Sequence, residues 1–165
     1  AEYFKRIDAL NFTLAHDDGQ LPENLSAADI VLLGISRTSK TPTGIYLAQR
    51  GYKTTNLPIV PSIPLPSSLT QPHTAFVVCL VASVERIAEV RRNRAMLMSD
   101  RDLDSYVDRD VIAAEIAHCR KICGKYGWPV IDVTRKSIEE SAAMIIKLMN
   151  DRNAGVADAS ESAES

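Results

Sequence analysis

The sequence predicts an α/β fold in which a mostly parallel sheet is flanked by helices. Short apolar runs, of the kind buried on both faces of a parallel sheet, alternate along the chain with segments of helical period. In addition, 45% of the 165 residues are apolar and only 5% are aromatic, a balance typical of cores built from Leu, Ile, Val and Ala. Strands that alternate with helices imply right-handed crossovers and helices on both faces of the sheet.

The amino-terminal part predicts a helix followed by two strands. Apolar residues at helical spacing predict a short amphipathic helix over residues 2–10. The next residues, 11–15 (NFTLA), read as a strand that breaks at the polar turn 16–19 (HDDG). After a loop or short helix, residues 29–33 (DIVLL) predict a strand buried on both faces.

The middle of the chain predicts one helix between strands. The helix extends from about Thr41 to Gln49 and ends at Gly51. A second strand is expected over residues 56–60, where Pro58 indicates a strand end or an edge strand. Further prolines then favour an extended, irregular stretch before a strongly apolar third strand over residues 76–81.

The carboxyl-terminal part predicts two helices, a strand and a last helix. Ser83 can cap a helix that extends to about Leu97, and a second helix follows over residues 109–126, where Gly124 and Gly127 help to end it. Residues 129–133 predict a strand. Ser137 and Glu140 then form the pattern of a capping box at the start of the last helix.

Composition and charge narrow the class of protein. We expect one domain over residues 1–153 and, because large apolar side chains are missing after Val156, a disordered tail over residues 154–165. The formal charge of −2 argues against broad binding of nucleic acid or membrane, so any anion site must be local. The apolar runs are too short to cross a bilayer.

The three cysteines indicate a reducing compartment, the cytoplasm. Cys79, Cys119 and Cys123 form no CxxC pair and have no histidine at metal-ligand spacing. Cys119 and Cys123 lie one helical turn apart, which suits either a redox pair or two half-buried thiols on an apolar helix face. The second interpretation is the simpler one.

A phosphate-binding loop is predicted between the strand at 29–33 and the following helix. The segment matches the order GxxxxGK[ST], except that Ser39 replaces the second glycine. Its nucleotide-binding candidates are Gly34, Ile35, Ser36, Arg37, Thr38, Ser39, Lys40 and Thr41. We expect an exposed Lys40 to stabilise the transferred phosphoryl group and the hydroxyl of Thr41 to bind Mg²⁺.

The alternative is a plain turn whose serines and threonines cap the helix. Arg37 and Lys40 argue against it, because the helix dipole disfavours cations at a helix start unless an anion is bound. With the flanking strand and helix, this pattern predicts a P-loop kinase-like fold.

Two acidic residues and two arginines are the remaining candidates for phosphoryl transfer. Asp17 and Asp18 follow the predicted strand 11–15, and ligands bind at the carboxyl ends of strands in such sheets. One carboxylate, Asp17 in our assignment, can hold Mg²⁺ while the other acts as general base, although a turn of the D-G type explains the same residues. Arg91 and Arg94 share a helix face and are candidates for a second phosphate site, or for a solvated surface.

Four segments together resemble a known family. They are 16–19 (HDDG), 28–61 (ADIVLLGISRTSKTPTGIYLAQRGYKTTNLPIVP), 84–94 (VERIAEVRRNR) and 128–143 (WPVIDVTRKSIEESAA). The sequence resembles, over residues 1 to about 150, the bifunctional serine/threonine kinases and phosphorylases that regulate pyruvate, phosphate dikinase or phosphoenolpyruvate synthase. The resemblance implies that serine is an accepted alternative to glycine at the position of Ser39.

The resemblance implies an activity and its partners. Family members use ADP to phosphorylate a threonine of the dikinase or synthase and release AMP, and they reverse this with inorganic phosphate, releasing pyrophosphate. It also implies a cytoplasmic enzyme, or one of the plastid stroma in a plant, and an amino-terminal domain that this chain does not contain. By likeness to small P-loop kinases, Thr134, Arg135 and Lys136 would contact the adenine.

Two other functions stay open at the level of sequence. One is a nucleotide-sensing regulatory module that binds ADP or AMP without chemistry, and the other is a P-loop kinase that acts on a small metabolite. A homodimer is also possible, with Tyr3, Phe4 and the prolines between residues 58 and 66 at the contact.

Overall fold

The structure is a computed structural model that describes residues 2–16, 25–35, 38, 40–61, 63–71, 73–94 and 108–164. For Arg94 and residues 154–164 it describes the backbone alone. The architecture is α/β, with a four-stranded sheet between helices, which confirms the predicted fold class.

All pairings in the sheet are parallel. The strands are β1 (Ile30–Gly34), β2 (Thr54–Pro58), β3 (Phe76–Val81) and β4 (Val130–Asp132), and they lie side by side in the order β2-β1-β3-β4. β1 lies inside the sheet with Gly34 at its carboxyl end, opposite Pro58 of β2. β2 is an edge strand, as Pro58 predicted.

Six α-helices and one short 3₁₀ turn, Leu25–Ala27, occur in the described ranges. The helices are α1 (Glu2–Ala15), α2 (Lys40–Gln49), α3 (Ser67–Thr70), α4 (Val84–Arg94), α5 (Arg109–Tyr126) and α6 (Ile138–Glu164). α5 has the predicted bounds, because the Asp108 carboxylate accepts from two backbone N–H groups at its start and Gly127 adopts a left-handed conformation at its end.

The core has two layers, one on each face of the sheet. Alternate residues of the strands face α2 and α6 on one side, where Leu47, Ala142 and Ile145 are fully buried. The other face is covered by α4 and α5, where Ile87 and Ile112 are fully buried. Burial on both faces explains why β1 and β3 read as continuous apolar runs.

The strand predicted at residues 11–15 is wrong, because α1 continues through Ala15. Ala9 and Thr13, four residues apart on one helix face, are both buried, and the Thr13 hydroxyl accepts from the backbone N–H of Thr54 at 3.1 Å. Packing against β2 therefore outweighs the local strand preference of NFTLA. As a result, Asp17 and Asp18 do not follow a strand, and that reason for choosing them is lost.

Several predicted helix boundaries agree with the structure. The hydroxyl of Ser83 accepts from Arg86 at 3.2 Å at the start of α4, and that of Ser137 accepts from Glu140 at 3.1 Å at the start of α6. Gly51 has a positive φ of 95° just after α2. Gly124, in contrast, lies within α5 and does not end it.

The second strand and the final segment differ from expectation. β2 begins at Thr54 because the polar side chains of Thr54, Thr55 and Asn56 are buried in the sheet, which the apolar pattern does not reveal. The backbone of residues 154–164 continues α6 where composition predicts a disordered tail. Elongation of an existing helix avoids the cost of nucleation, and this segment is rich in alanine.

Candidate functional site

Gly34 allows the turn that leaves β1 at the carboxyl edge of the sheet. Its φ of +151° is rarely adopted by residues with a side chain. A Cβ at this position would lie 2.5 Å from the carbonyl oxygen of Leu80 and 2.9 Å from Oγ1 of Thr38. The backbone of the loop thus packs directly against the end of β3, which only glycine permits.

We expect Gly34→Ala to lower the free energy of unfolding by about 2 kcal/mol or more, because the new Cβ meets backbone on a strained φ. Urea denaturation measures the change. Gly124→Ala is the matched control, since a Cβ there would have no atom within 4 Å. Equal stability of Gly34→Ala and the unmodified protein would contradict the close packing of this turn.

Lys40 opens α2, and its side chain folds back over the loop. Its Nζ donates to the carbonyl oxygen of Ile35 at 2.7 Å and lies 3.5 Å from Oγ1 of Thr38. The Thr38 hydroxyl donates to the same carbonyl at 3.0 Å. Three residues of the predicted loop are therefore brought together around one ammonium group.

The expectation of an exposed Lys40 is wrong, because the residue is only 7% exposed. The side chain reaches back across its own loop and is covered there. A cation held at a helix N-terminus adds to the positive end of the helix dipole, so the position attracts anions. The arrangement is suited chemically to a phosphate group.

The other loop candidates are only partly described. Thr41 is the second residue of α2 and is exposed. Ser36, Arg37 and Ser39 lie outside the described residues.

His16, at the end of α1, is tied into the structure. Its Nδ1 lies 2.8 Å from the carbonyl oxygen of Phe12, and its own carbonyl accepts from the hydroxyl of Thr55 at 2.7 Å. The imidazole also packs on the Phe12 ring at 4.2 Å between centroids. These contacts fit the interpretation of His16 as a hydrogen-bonding residue. Asp17 and Asp18 lie outside the described residues.

Arg91 is buried on α4 and is held by an acidic partner on α5. Its Nη2 donates to Oε2 of Glu115 at 2.7 Å, and its side chain is only 3% exposed. The alternative of a solvated surface is therefore wrong for Arg91. The side chain of Arg94 is outside the described part of the structure.

The three cysteines lie together in the core layer that α4 and α5 cover. Cys79 of β3 and Cys119 and Cys123 of α5 are fully buried and carry free thiols, so the half-buried state expected for the α5 pair is wrong. Hydrogen bonding with the other two thiols, together with burial, raises the pKa of Cys79. The pKa of Cys119 is lowered, first by its hydrogen bond with Cys79 and further by the charge of Lys40.

Comparison with known proteins identifies the family. Residues 1–146, which include the loop and all strands of the sheet, match the kinase/pyrophosphorylase family. The chain belongs to this family. The resemblance drawn from the sequence motifs is confirmed.

Curated relatives of this chain come from several bacteria. A protein of Chelativorans sp. (strain BNC1) is 62% identical over 148 residues, which cover 90% of this chain and 54% of the relative. One from Bradyrhizobium diazoefficiens is 56% identical over 153 residues, 92% of this chain and 55% of the relative. Both are provisionally named pyruvate, phosphate dikinase regulatory proteins. The chain spans about half the length of the curated relatives it matches.

One carboxylate at the carboxyl edge of the sheet is not among the site candidates predicted from the sequence. Asp132 ends β4 at the same edge of the sheet as Gly34, and its Oδ1 accepts from the hydroxyl and the backbone N–H of Thr134 at 2.5 and 2.9 Å. These hydrogen bonds, the hydroxyl first, lower the pKa of Asp132. Thr134 Oγ1 in turn accepts from the backbone N–H of Ser83 at 2.8 Å. The sequence signal that could have identified Asp132 is an acidic residue at the carboxyl end of an apolar strand.

Two further observations concern metals and membranes. Among the described residues, no cluster of three or more His, Cys, Asp or Glu side chains is arranged to hold a metal ion. The predicted Mg²⁺ ligands are Thr41 and Asp17, and Asp17 lies outside the part of the chain to which this observation applies. Each helix in the described ranges is too short or too polar to span a bilayer.

Proposed function

We propose that this chain binds the diphosphate of ADP at residues 34–41 and transfers the β-phosphoryl group to a threonine of pyruvate, phosphate dikinase or phosphoenolpyruvate synthase. The names of the relatives support the dikinase as partner, and the family name supports phosphoryl transfer. The hydroxyl of the threonine attacks the β-phosphorus, the bond to the bridging oxygen breaks, and AMP leaves. We place this reaction in the cytoplasm.

The observation that carries the proposal is the ammonium of Lys40 above the turn at Gly34. Nζ is fixed 2.7 Å from the Ile35 carbonyl, at the first residue of α2 and at the carboxyl edge of β1. Phosphoryl transfer depends mainly on positioning and on charge stabilisation. A preorganised cation beside a glycine turn supplies both for a phosphate group.

Asp17, Asp18 and Thr41 complete the proposed forward reaction. Asp18 accepts the proton of the attacking threonine hydroxyl as general base, while Asp17 and the Thr41 hydroxyl would hold Mg²⁺. A bound Mg²⁺ would neutralise charge on the phosphates. Thr41 is exposed at the start of α2, which fits this role.

The reverse reaction requires a second anion site. Inorganic phosphate attacks the phosphothreonine phosphorus, which gives pyrophosphate and the free hydroxyl, and Arg91 and Arg94 are the candidates to hold it. Because Glu115 neutralises and anchors Arg91, we expect Arg94 to supply most of the uncompensated charge.

Incubation of the chain with ADP labelled in the β-phosphate and with purified dikinase tests the proposal. Label on a threonine of the dikinase is expected, whereas ADP labelled in the α-phosphate should leave none. Addition of inorganic phosphate should then release the label as pyrophosphate. ADP binding without protein labelling would favour the nucleotide-sensing module, and label on a small metabolite would favour the metabolite kinase.

We also propose that the chain forms a homodimer. Tyr3 and Phe4 are 69% and 68% exposed on α1, so a homodimer contact at this helix agrees with their exposure.

A further inference from the structure

A cavity of about 380 Å³ opens at the amino ends of β3 and β4. It lies at the edge of the sheet opposite the phosphate loop, because Phe76 at the start of β3 lines it while Leu80, near the end of β3, contacts the loop. Four residues along β3 separate the two places, roughly 13 Å. Its volume falls in the range of about 300–1,000 Å³ typical of small-ligand sites.

Three aromatic rings contribute to the cavity wall. Tyr126, the last residue of α5, stacks on Trp128, with ring centroids 4.7 Å apart and an angle of 21° between the planes. Phe76 lines the cavity as well, and the guanidinium of Arg152 from α6 lies 5.2 Å from its ring centroid. Such surfaces favour a flat ring as ligand.

His73 lines this cavity and carries a hydrogen-bond acceptor without a partner in the described part of the chain. Its Nε2 lies 3.1 Å from the carbonyl oxygen of Leu69, which can only accept, so in the neutral imidazole the proton is on Nε2 and the lone pair is on Nδ1. Nδ1 is buried and has no partner among the described residues. A buried acceptor without a donor is costly, and a ligand with an N–H group would relieve that cost.

Arg152 offers a donor beside it. Of the five N–H groups of a guanidinium, four are engaged in the described structure. Nε and Nη2 donate to Asn153 at 3.3 and 3.1 Å, Nη1 donates to Ala75 at 3.3 Å, and Nη2 also donates to Thr74 at 3.4 Å. One N–H of Nη1 remains for a ligand.

We propose that this cavity is a second site and binds a nucleobase. The base stacks on the aromatic wall, donates an N–H to Nδ1 of His73 and accepts from Nη1 of Arg152. Nucleobases carry a donor and an acceptor side by side on the edge of a flat ring. A tryptophan side chain has the ring and the donor but lacks the acceptor, and an asparagine has both polar groups but lacks the ring.

The intrinsic fluorescence of Trp128 provides the test, because Trp128 is the only tryptophan of the chain. Adenosine has no phosphate, so its titration separates base recognition from the phosphate loop. We expect saturable quenching, and an apparent affinity about tenfold weaker in His73→Phe, which keeps a ring but removes the acceptor. Circular dichroism verifies the fold. If His73→Phe does not fold, Arg152→Gln tests the donor in the same way.

Two variants serve as controls. His118→Phe makes the same change at a half-buried histidine of α5 outside the cavity, and Lys40→Met alters the phosphate loop. Both should leave the adenosine titration unchanged.

Three results would overturn the nucleobase site. The first is the absence of saturable quenching by adenosine, guanosine and cytidine alike. The second is unchanged affinity in folded His73→Phe, and the third is loss of adenosine binding in Lys40→Met, which would assign the base to the phosphate loop. None of these depends on transfer from ADP, so the kinase proposal and the second site can fail separately.

Discussion

Replacement of Lys40 by methionine is expected to slow phosphoryl transfer from ADP by about a hundredfold or more. The Lys40 ammonium lies beside the turn that follows Gly34. Its 2.7 Å hydrogen bond to the carbonyl oxygen of Ile35 holds the positive charge in place before a ligand binds. Removal of that charge should also weaken ADP binding by about tenfold, the loss typical of one charge-assisted hydrogen bond. Calorimetric titration measures the affinity, and the labelled-dikinase assay measures the rate.

Methionine is preferred to alanine because Lys40 is buried. Lys40→Ala would remove the aliphatic part of the side chain as well as the charge, and the void would lower stability. Lys121→Met, at an exposed lysine of α5, is the matched control and should change neither affinity nor rate. Unaltered ADP affinity in Lys40→Met would remove this loop from the mechanism.

Asp18→Asn is expected to lower the transfer rate by about 10²–10⁴-fold while ADP affinity is retained. An amide cannot accept the proton of the threonine hydroxyl, but its size matches the carboxylate. The rate is measured with β-labelled ADP and dikinase, and the affinity by calorimetry. Asp151→Asn, at an exposed position of α6, is the control and should behave like the unmodified chain.

The same variant separates an enzyme from a sensor. A regulator that acts by binding alone would still control the dikinase after Asp18→Asn. Unchanged regulation of the dikinase by that variant would therefore contradict the enzymatic role and support the nucleotide-sensing module.

The elements best predicted from sequence are those whose signal is local. The run FVVCLV predicts β3 with its observed bounds, since burial on both faces demands apolar residues throughout. α5 is predicted with its observed bounds because the helical apolar pattern ends at the left-handed Gly127. The order of loop residues after β1 predicts a turn at Gly34 and a helix from about Thr41, one residue after the observed start at Lys40.

The features missed depend on contacts between distant residues. NFTLA reads as a strand, but Thr13 is fixed by a hydrogen bond to Thr54 of β2. The burial of Arg91 depends on Glu115 of another helix. The acceptor at His73 and the donor at Arg152 are brought together only by the fold.

A crystal structure of the chain with ADP and Mg²⁺ tests the phosphate loop most directly. The diphosphate is expected against the backbone N–H groups of residues 34–41, with the β-phosphate in contact with Nζ of Lys40. A nucleotide whose phosphates lie elsewhere, for example at the cavity beside Trp128 or on the protein surface, would contradict that assignment.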